Sequence, residues 1–427
     1  MKVFGITAPM TGSGKTTVTL AFLSRLKNST GFKIGPDYID GGLSSKVTGN
    51  RTWNIDRWIQ GKAYSNVLAG AASKYDYGVV EGVMGLYDSG SPIDLSTYYY
   101  FRKFSIPYVL VIDVSKLAES AYYIAKSFIT PLTLGVVINR YGSEKHLQMV
   151  SKAFYDHGVP VIGAIPRDNR FTVPERHLGL HTGQEVADIR ERASMVSGYL
   201  DMGFLDNLPD RKFQHPAENA NPGGTGEIWV ALDRAFNFYY ADSLWALERM
   251  GNVHYFSPIS GERPESPDLV YFGGGYPELY APELSANNAL RRMISDYSES
   301  GGNIIAECGG LMYLEKEMET GSGVYPMGGV FSGTVKQNDK LTLSYTQLSA
   351  VLDSLLFRRG ETIRGHEFHY SSIVDEGEKS LVNIMGKGID GMDGLRIKNT
   401  LGSYSHISLN RYSRRLERKI REHHGSM

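Results

Sequence analysis

Between Val3 and Ile165, short apolar runs alternate with helix-period segments, and no other feature constrains the fold as much. The runs are Val3–Ala8, Phe32–Ile34, Tyr77–Glu81, Tyr108–Asp113, Leu134–Asn139 and Val161–Ile165. Thr16–Leu26, Leu117–Phe128 and Glu144–His157 are the clearest helical segments between them. Apolar strands separated by helices require crossover connections and a parallel sheet covered on both faces. Ligands of such sheets collect beyond the carboxyl ends of the strands. A second α/β pattern follows, with strands expected at Ile228–Leu232, Val253–Phe256, Leu269–Phe272 and Asn303–Ala306. Helices are expected at Ser243–Met250 and Pro282–Ser298, then strands and turns from Gly328 to His406. A basic helix from Arg411 onward reads as a solvated charged face. The polar stretch carrying Pro209, Pro216, Pro222 and Gly223-Gly224 separates the two patterns and reads as a linker. The expected organisation is one domain over 1–205, a linker over 206–226 and a second domain over 227–427.

The 427 residues carry 45 Lys and Arg against 46 Asp and Glu, a net charge of −1, which argues against a nucleic-acid partner held by a basic field. At 41% hydrophobic and 21% charged, the chain can build full cores. No apolar run reaches the length of a membrane span, and the N-terminus reads as a strand, not a signal peptide. The single cysteine, Cys308, excludes an intramolecular disulfide and a multi-Cys zinc site. It fits a reducing compartment, so a cytoplasmic location is expected.

The first strand runs into Thr11-Gly12-Ser13-Gly14-Lys15-Thr16-Thr17, which opens a helix. Backbone N–H groups of such a loop cradle phosphate oxygens, and the helix N-terminus favours their charge. Lys15 would reach the β- and γ-phosphates, and Thr16 would hold Mg²⁺. Pro9 stands where the first glycine of the usual phosphate-loop pattern belongs. Two further strand ends are acidic: Asp37 and Asp40 follow the second, and Glu81 and Asp88 frame the loop after the third. Glu81, ending an apolar strand, is placed to ligate a phosphate-bridging Mg²⁺. For Asp40, before Gly41-Gly42, a turn or capping role competes with a functional one. Arg176 and His177, after the last strand, suit a carboxylate-bearing substrate, although a surface Arg–Glu pair is equally compatible.

In the second half, Asn303–Ala306 is followed by Glu307-Cys308-Gly309-Gly310. An apolar strand, a cysteine and glycines opening a helix have the logic of a nucleophile elbow, with small residues, here Ala306 and Gly310, two positions either side. The helix N-terminus is expected to lower the thiol pKa. Gly273-Gly274-Gly275, ending another strand, offers N–H groups for an oxyanion hole. A base must come from a histidine, and residue reading leaves His366, His369 and His406 open.

The motifs Gly12–Thr17, Lys33–Asp40, Glu81–Asp88, Arg176–Leu180, Phe236–Tyr240, Gly274–Glu278, Glu307–Leu311, Gly365–Ser371 and Gly391–His406 occur in order over nearly the whole chain. Together they resemble the cobyrinic acid a,c-diamide synthase family, glutamine-dependent amidotransferases of corrinoid formation. The resemblance implies an α/β protein of two parts. The first is an N-terminal phosphate-loop, dethiobiotin-synthetase-like parallel-sheet domain, and the second a C-terminal class I glutamine amidotransferase domain. It implies ATP and Mg²⁺ as cofactors, with glutamine and a tetrapyrrole polycarboxylate as partners. Gly12, Ser13, Gly14, Lys15, Thr16 and Thr17 would bind the nucleotide, and Thr16 and Glu81 the metal. Asp37, Glu81 and Asp88 would handle the metal and an acyl phosphate, while Tyr38, Ile39, Arg176 and His177 would position the macrocycle. Cys308 would be the nucleophile, His406 its base, and Gly274 and Gly275 the oxyanion donors. His406-Ile407-Ser408 departs from the His-x-Glu common in class I amidotransferases, so the base would be held by another group. The Ni-sirohydrochlorin a,c-diamide synthases share these motifs and are the alternative. A phosphate-loop ATPase switch with an inert amidotransferase-like scaffold is the alternative from another class, and it leaves the Cys308 elbow without a role. A homodimer is an assembly the residues leave open.

Overall fold

The computed structural model describes residues 1–171, 188–213, 224–375 and 377–424, together with the backbone of 175–176 and 179–180. The chain divides into two units, Met1–Arg57 with Lys62–Ala217, and Trp58–Gly61 with Glu218–Met427. Part of the expected linker, residues 214–223, lies outside the described residues. Among those described, no helix is long and apolar enough to cross a membrane.

The first unit is built on strands β1 (Lys2–Thr7), β2 (Ser29–Ile34), β3 (Trp53–Ile55), β4 (Tyr77–Glu81), β5 (Tyr108–Asp113), β6 (Thr133–Tyr141) and β7 (Val161–Pro166). They form one sheet in the order β3-β2-β4-β1-β5-β6-β7, every pair parallel. Runs such as Val109-Leu110-Val111-Ile112 are buried throughout, as a sheet covered on both faces demands. One core joins Phe4 and Ile6 of β1 to Val79, Val109 and Val111, and to Phe22 on the helix Lys15–Arg25. Phe4, Phe22 and Phe204 lock it with edge-on ring contacts at 5.2–5.7 Å. A short hairpin, β8 (Glu175–Arg176) and β9 (Gly179–Leu180), follows.

The helix Ile39–Thr48 follows closely on β2. Its start is local: Asp37 Oδ1 accepts from the N–H groups of Ile39 (3.0 Å) and Asp40 (3.1 Å), satisfying two otherwise orphaned donors. Asp40 is therefore a first-turn helical residue, not a loop residue.

In the second unit, β10 (Gly226–Ala231), β11 (Gly251–Phe256), β12 (Leu269–Phe272) and β13 (Ile304–Glu307) are parallel. The rest of this sheet comprises β14 (Glu317–Thr320), β15 (Gly323–Pro326), β16 (Thr334–Ala350), β17 (Thr362–Val374), β18 (Lys379–Met385), β19 (Met392–Ile397) and β20 (Thr400–Ser403). β20 pairs parallel to β13, then β19 and β18 continue antiparallel to the long β16–β17 ribbon. Apolar clusters cover both faces, one around Phe236, Phe272, Leu311 and Tyr313, the other around Val230, Leu247, Tyr271 and Ile407.

Two expectations change here. The helix expected over Pro282–Ser298 is two helices, Ala281–Ala286 and Asn288–Glu299. Asn287 breaks it, because its Oδ1 caps Leu290 N (3.1 Å) while its Nδ2 donates to Pro258 O (3.0 Å). The basic helix, Ser413–His424, is not merely a solvated face, since Leu416 and Ile420 are fully buried in the second core.

Glu315 is fully buried beside Asp375, with Oε2 accepting from Gly333 N at 3.0 Å. Burial, then the neighbouring Asp375 carboxyl, pushes its pKa up to about 9. The folded state thus holds a proton that the unfolded chain releases, and this stability is present below the usual glutamate range and lost as pH rises through about 9. Glu315→Gln keeps the acceptor for Gly333 N without needing the proton. Its Tm is expected to exceed the native Tm by ~3 °C at pH 9 and to match it within ~1 °C at pH 5. A thermal-melting difference independent of pH would refute protonation of Glu315 in the fold.

Candidate active sites

In the first unit the sheet order reverses around β1, and the loops after β1, β2 and β4 gather at one end of the sheet. The phosphate loop after β1 is braced from β6. Asn139 Nδ2 donates to Ser13 O (2.9 Å), and the guanidinium of Arg140 donates to Gly12 O (3.0 Å). Gly14 has φ 95°, and a Cβ there would lie 2.2 Å from Asn139 Nδ2, so the loop tolerates only glycine. Above it opens a cavity of about 650 Å³ lined by Lys15, Thr16, Lys33, Asp37, Glu81 and Arg140, among others.

The electrostatic centre of this cavity is Lys33, which residue reading passed over. Its Nζ lies 2.5 Å from Asp40 Oδ2, 2.9 Å from Glu81 Oε1 and 3.4 Å from Asp37 Oδ2. Burial alone would lower its pKa, but the three carboxylates outweigh burial and hold it well above the ordinary lysine value. Lys15 goes the other way, pushed down to about 8 by burial and by the Lys33 charge. Thr16 Oγ1 donates to Glu81 Oε1 (2.8 Å), and Glu81 is pushed up to about 7, mainly by burial. Glu81 Oε2 and Asp40 Oδ1 are buried without hydrogen-bond partners. A hydroxyl beside a carboxylate with a spare oxygen is the donor set a hard cation bound to nucleotide phosphates takes, so the residues fit Mg²⁺. Asp88 accepts from Gly85 N (2.8 Å), shaping the loop after β4, and adds a favourable charge near Lys15. Tyr38 and Ile39 lie at the start of the Ile39–Thr48 helix, both partly exposed. His177 and the Arg176 side chain lie outside the described residues.

In the second unit, β12, β13 and β20 deliver three loops to one place. Cys308 leaves β13 with φ 49° and ψ −102°, a backbone conformation that side chains rarely adopt. It is allowed by close approach: a Cβ on Gly310 would lie 2.4 Å from Phe272 O. Cys308 N donates to Ser403 O (2.7 Å), tying the elbow to the end of β20, beyond which stands His406. A Cβ on Gly274 would lie 2.3 Å from His406 Cε1, so the loop after β12 is pressed against the imidazole. The thiol donates to Phe368 O (3.2 Å).

Two expectations about this site are corrected. Gly274 is not free to serve an oxyanion, because its N–H donates to Phe238 O (3.3 Å). Gly275 N lies 3.0 Å from where a Gly309 Cβ would sit, which brings the loop after β12 against the elbow. The thiol pKa is raised, not lowered. Burial is the main cause, reinforced by Glu278, and the six-residue helix Gly309–Leu314 contributes only the Gly309 N–H against it.

The three histidines separate by position. His366 stacks on His406 (4.9 Å between centroids) and its Nδ1 meets Tyr240 OH at 2.9 Å. His369 stacks on Tyr404 (3.9 Å), with Nδ1 donating to Ser371 O. Only His406 shares the Gly274 loop and the Ser403 strand end with Cys308. Two buried carboxylates near the thiol also escaped residue reading: Glu307, directly before it, and Glu278, pushed up to about 7 by burial. A glutamate next to the elbow cysteine and another in Tyr276-Pro277-Glu278 were the available signals.

Comparison with known proteins covers both units. Residues 4–180 match the CobQ/CobB/MinD/ParA nucleotide binding domain, and residues 227–413 the CobB/CobQ-like glutamine amidotransferase domain. The chain is 36% identical to the cobyrinate a,c-diamide synthase of Sulfolobus acidocaldarius, over 96% of this chain and 98% of that one. It is 35% identical to that of Saccharolobus solfataricus, over 97% and 100% respectively. The enzyme of that name from Caldanaerobacter subterraneus subsp. tengcongensis is 36% identical over 98% of this chain and 97% of its own length. A nucleotide-binding unit joined to a glutamine amidotransferase unit is the makeup of an amidating enzyme, and the chain belongs to the cobyrinate a,c-diamide synthase family.

Proposed function

We propose that the chain converts two side-chain carboxylates of cobyrinate, a and c, to carboxamides, using ATP and the amide nitrogen of glutamine. The observation that carries this reading is a strained Cys308 elbow and a braced phosphate loop in one chain. Near full-length similarity to cobyrinate a,c-diamide synthases supports cobyrinate over Ni-sirohydrochlorin as the macrocycle. A switch ATPase with an inert scaffold would leave the elbow, the Gly274 contact and His406 unused.

A carboxylate does not react with ammonia, because its oxygen is a poor leaving group. The γ-phosphoryl of ATP makes it one by forming an acyl phosphate. Lys15, its pKa lowered by burial and by the Lys33 charge, holds the β- and γ-phosphates, and the loop N–H groups from Gly12 to Thr17 cradle them. Mg²⁺, held by Thr16 and Glu81, would neutralise phosphate charge there. Asp37 and Lys33 face the transferred phosphoryl, while Asp88 fixes the loop beside it. Tyr38, Ile39, Arg176 and His177 position the macrocycle.

In the other unit, Cys308 attacks the carboxamide carbon of glutamine as its proton passes to His406. The N–H groups of Gly275 and Gly309 hold the oxyanion. His406 returns the proton to the departing nitrogen, which leaves as ammonia, and water then releases glutamate from the thioester. Ammonia displaces phosphate from the acyl phosphate, and a second round completes the diamide.

Cys308→Ser is expected to abolish glutamine-driven amidation and to keep ammonia-driven amidation near the native rate; normal glutamine use would overturn the nucleophile assignment. Lys15→Ala is expected to lose both activities by at least ~100-fold, since both need the acyl phosphate, and unchanged turnover would exclude the phosphate loop from the reaction. Mass spectrometry of cobyrinate and Ni-sirohydrochlorin, each incubated with ATP, Mg²⁺ and glutamine, tests the substrate. Two OH-to-NH₂ replacements in cobyrinate are expected; amidation of the nickel macrocycle alone would reject the proposal.

A further inference from the structure

In the His-x-Glu common to class I amidotransferases a carboxylate stands two residues past the base, and two residues past His406 this chain has Ser408. The Ser408 hydroxyl donates to Asp242 Oδ2 (2.6 Å), and Gln60 bonds the same carboxyl group. Asp242 is thus engaged on Ser408, two residues from the base. The carboxylate beside His406 comes from another strand. Glu307 Oε2 lies 3.7 Å from His406 Nδ1, with both side chains almost fully buried.

Glu307 is held from two directions. Tyr271 OH donates to Oε2 (2.7 Å), and the N–H of Ile407, next to the base, donates to Oε1 (3.0 Å). Parallel pairing of β13 with β20 places Glu307 opposite Ser403, so the carboxylate lies under the chain leading to His406. The imidazole itself is confined. His366 stacks on one face, itself held well below the ordinary histidine pKa by burial and by His406, while the Gly274 backbone presses on the Cε1 edge. With the ring so packed, its tautomer is what remains to be set.

We propose that Glu307 is the positioning residue for His406. It accepts from Nδ1–H, which leaves Nε2 unprotonated to take the Cys308 proton, and it stabilises the imidazolium that results. The proton moves from Sγ to Nε2 and then to the leaving nitrogen, and none passes to Glu307. The residue before the nucleophile thereby does what the third residue of His-x-Glu does elsewhere. This inference rests on the reading of Cys308 and His406 as nucleophile and base.

The test compares Glu307→Gln, Tyr271→Phe, Asp242→Asn and His406→Asn in glutamine hydrolysis, in ammonia-driven amidation and in thermal melting. In Glu307→Gln the amide donates toward Nδ1 and favours the wrong tautomer. Its glutaminase kcat is expected to fall ~100- to 1,000-fold, with KM for glutamine within ~3-fold and ammonia-driven amidation within ~2-fold of native. The acidic limb of its glutamine pH profile should move to lower pH, because a negative charge beside an imidazolium has been removed. Tyr271→Phe, which frees one anchor of the carboxylate, should lose ~10-fold in kcat with the same split. If Glu307→Gln also loses ammonia-driven amidation through misfolding, Tyr271→Phe decides by that split. Native-like glutaminase in Glu307→Gln, or an equal loss in Asp242→Asn, overturns the inference. Full glutaminase in His406→Asn would instead overturn the base assignment on which it rests.

Discussion

The second unit depends on one backbone conformation, the positive φ of Cys308. A non-glycine residue there costs on the order of 1–3 kcal/mol and persists only where its surroundings over-determine it. Here they do so from three strands. Cys308 N is bonded to Ser403 O at the end of β20, Gly310 abuts the Phe272 carbonyl at the end of β12, and Glu307 remains in the β13 ladder. The same contacts bring the Gly274 loop against His406 and Gly275 against the elbow. The strain is thus supported by the elements that carry His406 and the Gly274–Gly275 loop.

The first unit solves a different problem, which is charge. Three carboxylates converge on a cavity meant for an anion, a costly arrangement unless countered. Lys33 counters it from within β2, and by its charge it lowers the pKa of Lys15, so the two lysines divide the work. Glu81 and Asp40 each keep one buried oxygen without a partner, a cost that a site for a cation and phosphates would recover on binding.

Residue reading found what is written contiguously. The phosphate loop, the elbow glycines and Glu81 at a strand end are local patterns whose physics lies within a few residues. It missed Lys33, because one lysine in a buried strand has meaning only beside Asp37, Asp40 and Glu81. It assigned Gly274 as an oxyanion donor because nothing local shows that its N–H is spent on Phe238. It expected a lowered thiol pKa from the helix start, whereas burial and acidic neighbours from Glu278 to Glu367 dominate. Among His366, His369 and His406 the choice was open without the family resemblance, since it depends on which strand end faces β13.

By itself, then, the sequence determined the two α/β patterns, the phosphate loop after β1 and the cysteine elbow after β13, since each follows from strand period, glycine placement and short-range sterics. Only the tertiary structure decided which groups surround them: Lys33 among its carboxylates, Gly275 against the elbow while the Gly274 N–H is bonded to Phe238 O, and Glu307, not Ser408, beside His406. The physical reason is the same in each case. Hydrogen bonds, burial and ion pairing act across neighbouring strands, and strand register alone sets which residues meet.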